Sequence, residues 1–139
     1  KHVLIPRPET EEVVDWITKT LKADEALEML DVGTGSGCIG ISLALHFANA
    51  GVTALDVSSD ALTVARKNAL ALGAANIGFL KLDFSQPSAR KQLPPCDVLV
   101  SNPPYIPWAE KPGMEKLVTD WEPEVALFVP HQNPLFFYE

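Results

Sequence analysis

Cysteines, basic residues and long apolar runs are all scarce in this chain. Its 139 residues include two cysteines, Cys38 and Cys96, whose spacing matches no metal site. Both lie in apolar stretches, so we expect buried, reduced thiols of a cytoplasmic protein and no bound metal. No apolar run is long enough to cross a bilayer, and we expect no membrane partner. The 11 lysines and arginines are outnumbered by 18 aspartates and glutamates, and the net charge of −7 argues against a partner held through nucleic-acid phosphates.

Strand-like and helix-like segments alternate along the chain. Short apolar, β-branched runs predict strands, and longer stretches with an apolar period near 3.6 residues predict helices. The predicted strands are residues 27–32, 52–57, 77–82 and 97–101, and the predicted helices begin at Glu9 and span 38–50 and 60–72. This series predicts an α/β fold with a mostly parallel sheet, right-handed crossovers and the strand order 3-2-1-4. A sheet of four strands would expose a central strand at its edge. We therefore expect residues 1–139 to be part of a longer domain, with a tail from Trp108 that is loosely held or packed against another copy.

A glycine-rich turn, Asp31-Val-Gly-Thr-Gly-Ser-Gly37, joins the first predicted strand to the next helix. Glycines there allow a tight turn and close approach of a ligand to the free N–H groups of a helix N-terminus. Asp56 ends the second strand, where a carboxylate can accept both hydroxyls of a ribose. Asp83 and Phe84 follow the third strand, near the expected place of an adenine ring. The candidate cofactor-binding residues are Asp31, Gly33, Thr34, Gly35, Ser36, Gly37, Asp56, Asp83, Phe84 and Asn102.

Two cofactor classes fit the glycine-rich turn. Residues 35–40 match the G-x-G-x-x-G fingerprint of dinucleotide-binding proteins. The tighter Asp-x-Gly-x-Gly-x-Gly pattern of residues 31–37 resembles motif I of methyltransferases that use S-adenosylmethionine. The loop Asn102-Pro-Pro-Tyr105, at the end of the fourth predicted strand, favours the second class. Its amide, its carbonyls and its aromatic face suit a planar group that carries an –NH2, and its two prolines make it stiff.

Three segments together resemble the release-factor glutamine methyltransferase family, also called PrmC or HemK. These are the opening segment, residues 3–11; the loop Val100-Ser-Asn-Pro-Pro-Tyr-Ile106; and the block Trp121-Glu-Pro-Glu-Val-Ala-Leu127. The resemblance covers essentially the whole chain. It implies the Rossmann-like fold of class I methyltransferases, truncated after about four strands. The family's N-terminal helical domain and last strands are absent, so we expect residues 1–139 to be a partial catalytic domain.

The resemblance also implies a reaction. It predicts N5-methylation of a glutamine side chain in class 1 peptide chain release factors, with S-adenosylmethionine as cofactor and S-adenosylhomocysteine as product. The implied catalytic residues are Asn102, Pro103 and Tyr105, and the implied substrate-binding residues are these three and Pro104. Residues 128–134 replace a stretch that is often glycine-rich in the family, so this loop is expected to differ in shape.

Other functions remain open from the sequence alone. The Asn-Pro-Pro-Tyr tetrad also occurs in adenine-N6 DNA methyltransferases, so an adenine or guanine amino methyltransferase of nucleic acid is one alternative. A glutamine methyltransferase of a ribosomal protein is a second, and a nucleotide-binding module without catalysis is a third. Trp108 and Trp121 either line a substrate groove or pack in the core.

Overall fold

The computed structural model describes residues 3, 8–113 and 123–129. The helices are α1 Pro8–Thr20, α2 Cys38–His46, α3 Ser59–Leu72, α4 Pro87–Arg90, a 3₁₀ helix Trp108–Gly113, and α5 Glu124–Leu127. The strands are β1 Glu28–Val32, β2 Gly51–Asp56, β3 Ile77–Lys81, β4 Val98–Ser101, β5 Ile106–Pro107 and β6 Phe128–Val129. The predicted alternation of strands and helices is confirmed, with strand ends shifted by one residue.

The four longer strands form one parallel sheet in the order β3-β2-β1-β4, as the sequence predicted. In this register Val32 lies beside Leu55 on one side and Ser101 on the other. The segments that follow β1, β2 and β4 therefore leave the sheet at the same edge. This edge carries the glycine-rich turn, Asp56 and Asn102.

The two faces of the sheet carry apolar clusters of different size. Met29, Val52 and Val100 are buried with Ile17 of α1 and Leu43 of α2 in the larger apolar cluster. On the opposite face Leu30, Val32 and Leu55 form a smaller cluster, packed against Leu82, Phe84 and Leu93. The central strand β1 is buried from Met29 to Val32, so it gives the turn that follows it a rigid base.

Helix ends follow local chemistry. The Ser58 hydroxyl accepts the N–H of Ala61 at 3.2 Å and caps the start of α3. Gly73, with φ 74°, follows the last residue of α3 and caps its end. Helix α2 ends at His46, four residues before the predicted end at residue 50. Phe47 leaves helical geometry to enter the core, and the Asn76 side chain donates to the carbonyls of Phe47 and Ala50 at 3.0 and 2.8 Å.

The cysteine prediction is only partly correct. Both thiols are free, but Cys96 is exposed and Cys38 is half-buried. Cys96 follows two prolines in the loop before β4, where an apolar sequence context does not lead to burial. Burial raises the pKa of the Cys38 thiol.

None of the helices in the described ranges has the length and apolar character needed to cross a bilayer.

The expectation of a loosely held tail is wrong for residues 123–129. Strand β5 pairs in parallel with β6, and Leu127, Phe128 and Val129 are buried. The Trp108 ring stacks on Phe128 with centroids 4.5 Å apart, so Trp108 packs against its own chain. The expected short helix at residues 115–120 and Trp121 lie outside the described residues.

Candidate active site

The turn between β1 and α2 is built on three glycines with positive φ. These angles are 73° at Gly33, 55° at Gly35 and 85° at Gly37, a region that side chains disfavour. The N–H groups of Gly33 and Thr34 both donate to the Leu55 carbonyl, at 2.9 and 3.0 Å. The turn is therefore tied to β2 as well as to β1.

The glycines differ in the space around them. Apart from its neighbours in sequence, none of the described residues lies within 4 Å of the position that a Cβ atom would take at Gly33. At Gly37 the same atom would lie 2.7 Å from Ile41 Cδ1 and 3.1 Å from Ala65 Cβ. Gly37 is therefore required for packing, whereas Gly33 faces open space that a ligand can fill.

Asp31 lies beneath the turn and holds its shape. Its side chain is 1% exposed, and Oδ2 accepts the Thr34 hydroxyl at 2.6 Å and the Gly40 N–H at 2.9 Å. Oδ1 has no partner in the described part of the chain. Burial raises the pKa of Asp31 to about 6, against the lowering effect of these two hydrogen bonds. Asp31 does not line the pocket described below, so the structure gives it a role in shaping the turn.

The raised pKa of Asp31 predicts a pH-dependent stability. A carboxyl whose pKa rises on folding stabilises the fold fully below its unfolded pKa, and this stability is lost as pH rises through about 6. We expect the titration of Asp31 alone to lower the free energy of unfolding by about 2 kcal/mol between pH ~4 and pH ~7. Asp31→Asn keeps an oxygen acceptor without a charge and should abolish this loss. Urea unfolding of both proteins at the two pH values measures it, and parallel pH profiles would contradict it.

Asp56 joins the glycine turn to the end of β2. Its Oδ2 accepts the Gly35 N–H at 2.9 Å and its Oδ1 accepts the Ser58 N–H at 2.8 Å. A carboxylate has about four acceptor positions, so both oxygens can accept further hydroxyl groups. Asp56 also lines the pocket at this edge of the sheet.

That pocket brings together six of the residues predicted for the site, namely Gly33, Gly35, Asp56, Phe84, Asn102 and Pro104. Its other walls are Val3, Leu55, Val57, Ser58, Ala61, Leu82, Pro123 and Ala126. The apolar walls next to the glycine turn suit a flat ring, and Asp56 adds acceptors for hydroxyl groups. This combination fits a nucleoside. Within the described residues no cluster of three or more His, Cys, Asp and Glu is placed to hold a metal.

Several predicted residues shape the site without lining the pocket. Thr34 is buried beneath the turn with Asp31, and Ser36 faces away from the pocket. Asp83 caps the turn after β3, where Oδ1 accepts the Ser85 hydroxyl at 2.6 Å and the Ser85 N–H at 3.0 Å. The hydrogen bonds from Ser85 lower the pKa of Asp83.

The Asn-Pro-Pro-Tyr loop leaves β4 beside the glycine turn. The Ser101 hydroxyl donates to the Val32 carbonyl at 2.8 Å and ties the ends of β4 and β1 together. Asn102 is exposed and lines the pocket, whereas Pro103 is buried. The Tyr105 ring is 60% exposed and does not line the pocket. It is free to contact a molecule that approaches the loop from outside.

The sequence analysis did not identify one residue that supports the glycine turn. The Asn68 side chain donates to the Ser36 carbonyl at 2.9 Å and braces the glycine turn from α3. Ala61, Ala65 and Ala69 on the same helix are buried. A polar residue at helical spacing from these positions was a signal that could have revealed it.

We predict that Asn68→Ala weakens binding of the cofactor because the glycine turn loses this brace. One hydrogen bond contributes about 0.5–1.5 kcal/mol, so the dissociation constant should rise roughly 2- to 12-fold. The control is Asn76→Ala, which removes a side chain that also braces carbonyls, at the opposite edge of the sheet. Calorimetry should show normal affinity for this control if the protein remains folded, and equal effects of both variants would refute the role of Asn68.

Comparison with known proteins identifies the family. The sequence model of the methyltransferase small domain matches residues 12–116. The chain belongs to the methyltransferase small domain family. A release factor glutamine methyltransferase from Bacteroides thetaiotaomicron is 51% identical over 137 residues, which make up 98% of this chain and 48% of that protein. One from Flavobacterium psychrophilum is 46% identical over 141 residues, or 99% of this chain and 48% of that protein. The chain spans about half the length of the curated relatives it matches.

Solved structures agree with this assignment of the methyltransferase domain. Magnesium protoporphyrin IX methyltransferase from Synechocystis PCC 6803, solved with bound SAM, superposes with a TM-score of 0.54 and 26% identity. The match covers 67% of this chain and 42% of that one. The predicted Rossmann-like methyltransferase fold is thereby confirmed.

Proposed function

We propose that the full-length protein transfers a methyl group from S-adenosylmethionine to the side-chain amide nitrogen of a glutamine in a class 1 peptide chain release factor. The observation that carries this proposal is one pocket that is lined both by the glycine turn with Asp56 and by Asn102. In this proposal the site for the methyl donor lies next to the site for the amide. The names of two similar relatives, both release factor glutamine methyltransferases, support a release factor as the substrate. In this proposal residues 1–139 form part of the catalytic domain, and the protein acts in the cytoplasm without a membrane or nucleic-acid partner.

The pocket fits S-adenosylmethionine. The open space at Gly33 allows the ligand to approach the backbone, and the acceptor positions left on Asp56 suit the two ribose hydroxyls. Leu55, Val57, Leu82 and Phe84 provide apolar contacts for an adenine ring. When bound, S-adenosylmethionine supplies an electrophilic methyl group and leaves as S-adenosylhomocysteine.

The loop after β4 would hold the acceptor. An amide nitrogen is a poor nucleophile because its lone pair is delocalised into the carbonyl. The Asn102 side-chain oxygen and the Pro103 carbonyl can each accept one N–H of the glutamine amide. Such orientation lowers a barrier by roughly 7–11 kcal/mol at best. Tyr105 offers its exposed ring to the plane of the amide. We assign no general base, because the proton on nitrogen can leave to water after transfer.

A competition between acceptors tests the proposal. The full-length protein is incubated with labelled S-adenosylmethionine and either a class 1 release factor or adenine-containing duplex DNA. We expect label in the release factor and none in the DNA, because a base in a duplex must be flipped out at a cost of a few kcal/mol. Label in the DNA and not in the release factor would refute the proposal. Cofactor binding without transfer to either acceptor would favour a binding module.

A further inference from the structure

We propose that Thr10 is a positioning residue for methyl transfer, because its hydroxyl holds the Asn102 carboxamide in place at the edge of the pocket. This inference rests on the proposed function and extends it to a residue on a different element of the fold. Thr10 lies in the first turn of α1, 92 residues before Asn102 in the sequence. The two side chains meet at the edge of the sheet that carries the pocket.

The contact joins an exposed side chain to a buried hydroxyl. Asn102 Nδ2 donates to Thr10 Oγ1 at 3.4 Å. In the described part of the chain, the Asn102 side chain has no other hydrogen-bond partner. Thr10 is only 6% exposed, so its hydroxyl is held at a fixed place in the fold. The Asn102 side chain, in contrast, is exposed and lines the pocket.

The direction of the carboxamide matters because its two ends have opposite chemistry. The nitrogen only donates hydrogen bonds, and the oxygen only accepts them. With Nδ2 directed to Thr10, Oδ1 is left for an N–H of the acceptor amide. A rotation of the side chain by half a turn would present N–H groups to the N–H groups of the substrate. A hydroxyl can pair with either end of a carboxamide, so Thr10 holds the group in place and the N–H groups of the acceptor amide select the end that faces them.

The length of the contact predicts which property of the protein will change when the contact is lost. At 3.4 Å it exceeds the usual range of about 2.7–3.2 Å, so it contributes little to stability. Its effect should therefore be found in the rate of transfer. Thr10 does not line the cofactor pocket, so cofactor affinity should not change.

Three variants of the full-length protein test this role. Thr10→Val removes the hydroxyl at nearly constant shape, Thr10→Ser retains it, and Thr18→Val removes a hydroxyl that bonds only within α1, to the Asp15 carbonyl. We measure kcat and KM for the release factor, the dissociation constant of S-adenosylmethionine, and the thermal midpoint. We expect Thr10→Val to lower kcat about threefold, with KM, cofactor affinity and thermal midpoint nearly unchanged. Thr10→Ser and Thr18→Val should retain the kcat of the wild type.

The outcomes separate the two proposals. A normal kcat for Thr10→Val would overturn the role of Thr10 and leave the proposed function intact. So would a fall in kcat that is matched by equal falls in cofactor affinity and thermal midpoint, because that pattern indicates a structural role. Failure of the wild-type protein to methylate the release factor would overturn the proposed function, and the role of Thr10 with it.

Discussion

Replacing Asn102 with alanine is expected to lower methyl transfer to the release factor by at least about 100-fold while leaving cofactor binding nearly intact. The variant removes the side-chain oxygen that would accept an N–H of the glutamine amide, and a misplaced acceptor can lose roughly this factor in rate. Asn102 borders the pocket, but the variant leaves the glycine turn, Asp56 and Ser58 in its lining. Single-turnover transfer with labelled cofactor measures the rate, and calorimetry measures the dissociation constant.

A matched variant controls for loss of an asparagine. Asn49 is exposed, and its Nδ2 donates one hydrogen bond to the Asp24 carbonyl, away from the pocket. Asn49→Ala should transfer at the rate of the wild type. If Asn102→Ala transfers as fast as Asn49→Ala, Asn102 does not hold the acceptor. A large loss of cofactor affinity in Asn102→Ala would assign it to the donor side of the pocket instead.

Asp56→Ala is expected to weaken S-adenosylmethionine binding by roughly 1.5–3 kcal/mol, the usual scale for hydrogen bonds to a charged group. At 1.4 kcal/mol for each factor of ten, this corresponds to a rise of about 10- to 150-fold in the dissociation constant. Two effects combine in this variant. The ribose hydroxyls lose their acceptors, and the N–H groups of Gly35 and Ser58 lose the carboxylate that orients the turn. Calorimetry of the purified protein measures the change.

Asp97 provides the control for Asp56. Its carboxylate also accepts a backbone N–H, from Glu28 at 2.9 Å, but it precedes β4 and so lies at the opposite edge of the sheet. Asp97→Ala should therefore leave the dissociation constant unchanged in the folded protein. Unchanged affinity in Asp56→Ala would remove Asp56 from the binding site, and equal losses in both variants would indicate a general loss of structure.

Local sequence patterns were sufficient to predict the sheet and the pocket edge. Apolar runs separated by helical periods require crossovers, and the handedness of crossovers restricts the order of strands to few choices. Carboxyl ends of parallel strands meet at one edge, so the glycine turn, Asp56 and Asn102 were expected to be neighbours. Each of these features depends on residues that are close in sequence or on a general rule of topology.

The contacts that refine the site depend on packing between distant residues. The bond between Asn102 and Thr10 spans 92 residues, and the brace from Asn68 to Ser36 spans 32. The first pair has no spacing that a sequence pattern would detect. For the second pair, helical spacing from the buried alanines marks Asn68 but not its partner Ser36. Similarly, α2 ends early because Phe47 enters the core, a choice that depends on space between the helix and the sheet.

Sequence patterns also could not predict the pairing of β5 with β6. Each strand has two residues, too few to show an alternation of apolar and polar positions. Tertiary contacts stabilise the pair. Trp108 stacks on Phe128, and Lys111 lies over the Trp108 ring and forms an ion pair with Glu124. This packing places Pro123 and Ala126 in the wall of the pocket.

The most direct measurement of the central claim is tandem mass spectrometry of a class 1 release factor after incubation with S-adenosylmethionine and the full-length protein. The account predicts one added methyl group, located on the side-chain nitrogen of a glutamine, and no added methyl group when the protein carries Asn102→Ala. A methyl group on any other type of side chain, or one that is added equally by the Asn102→Ala variant, would contradict it.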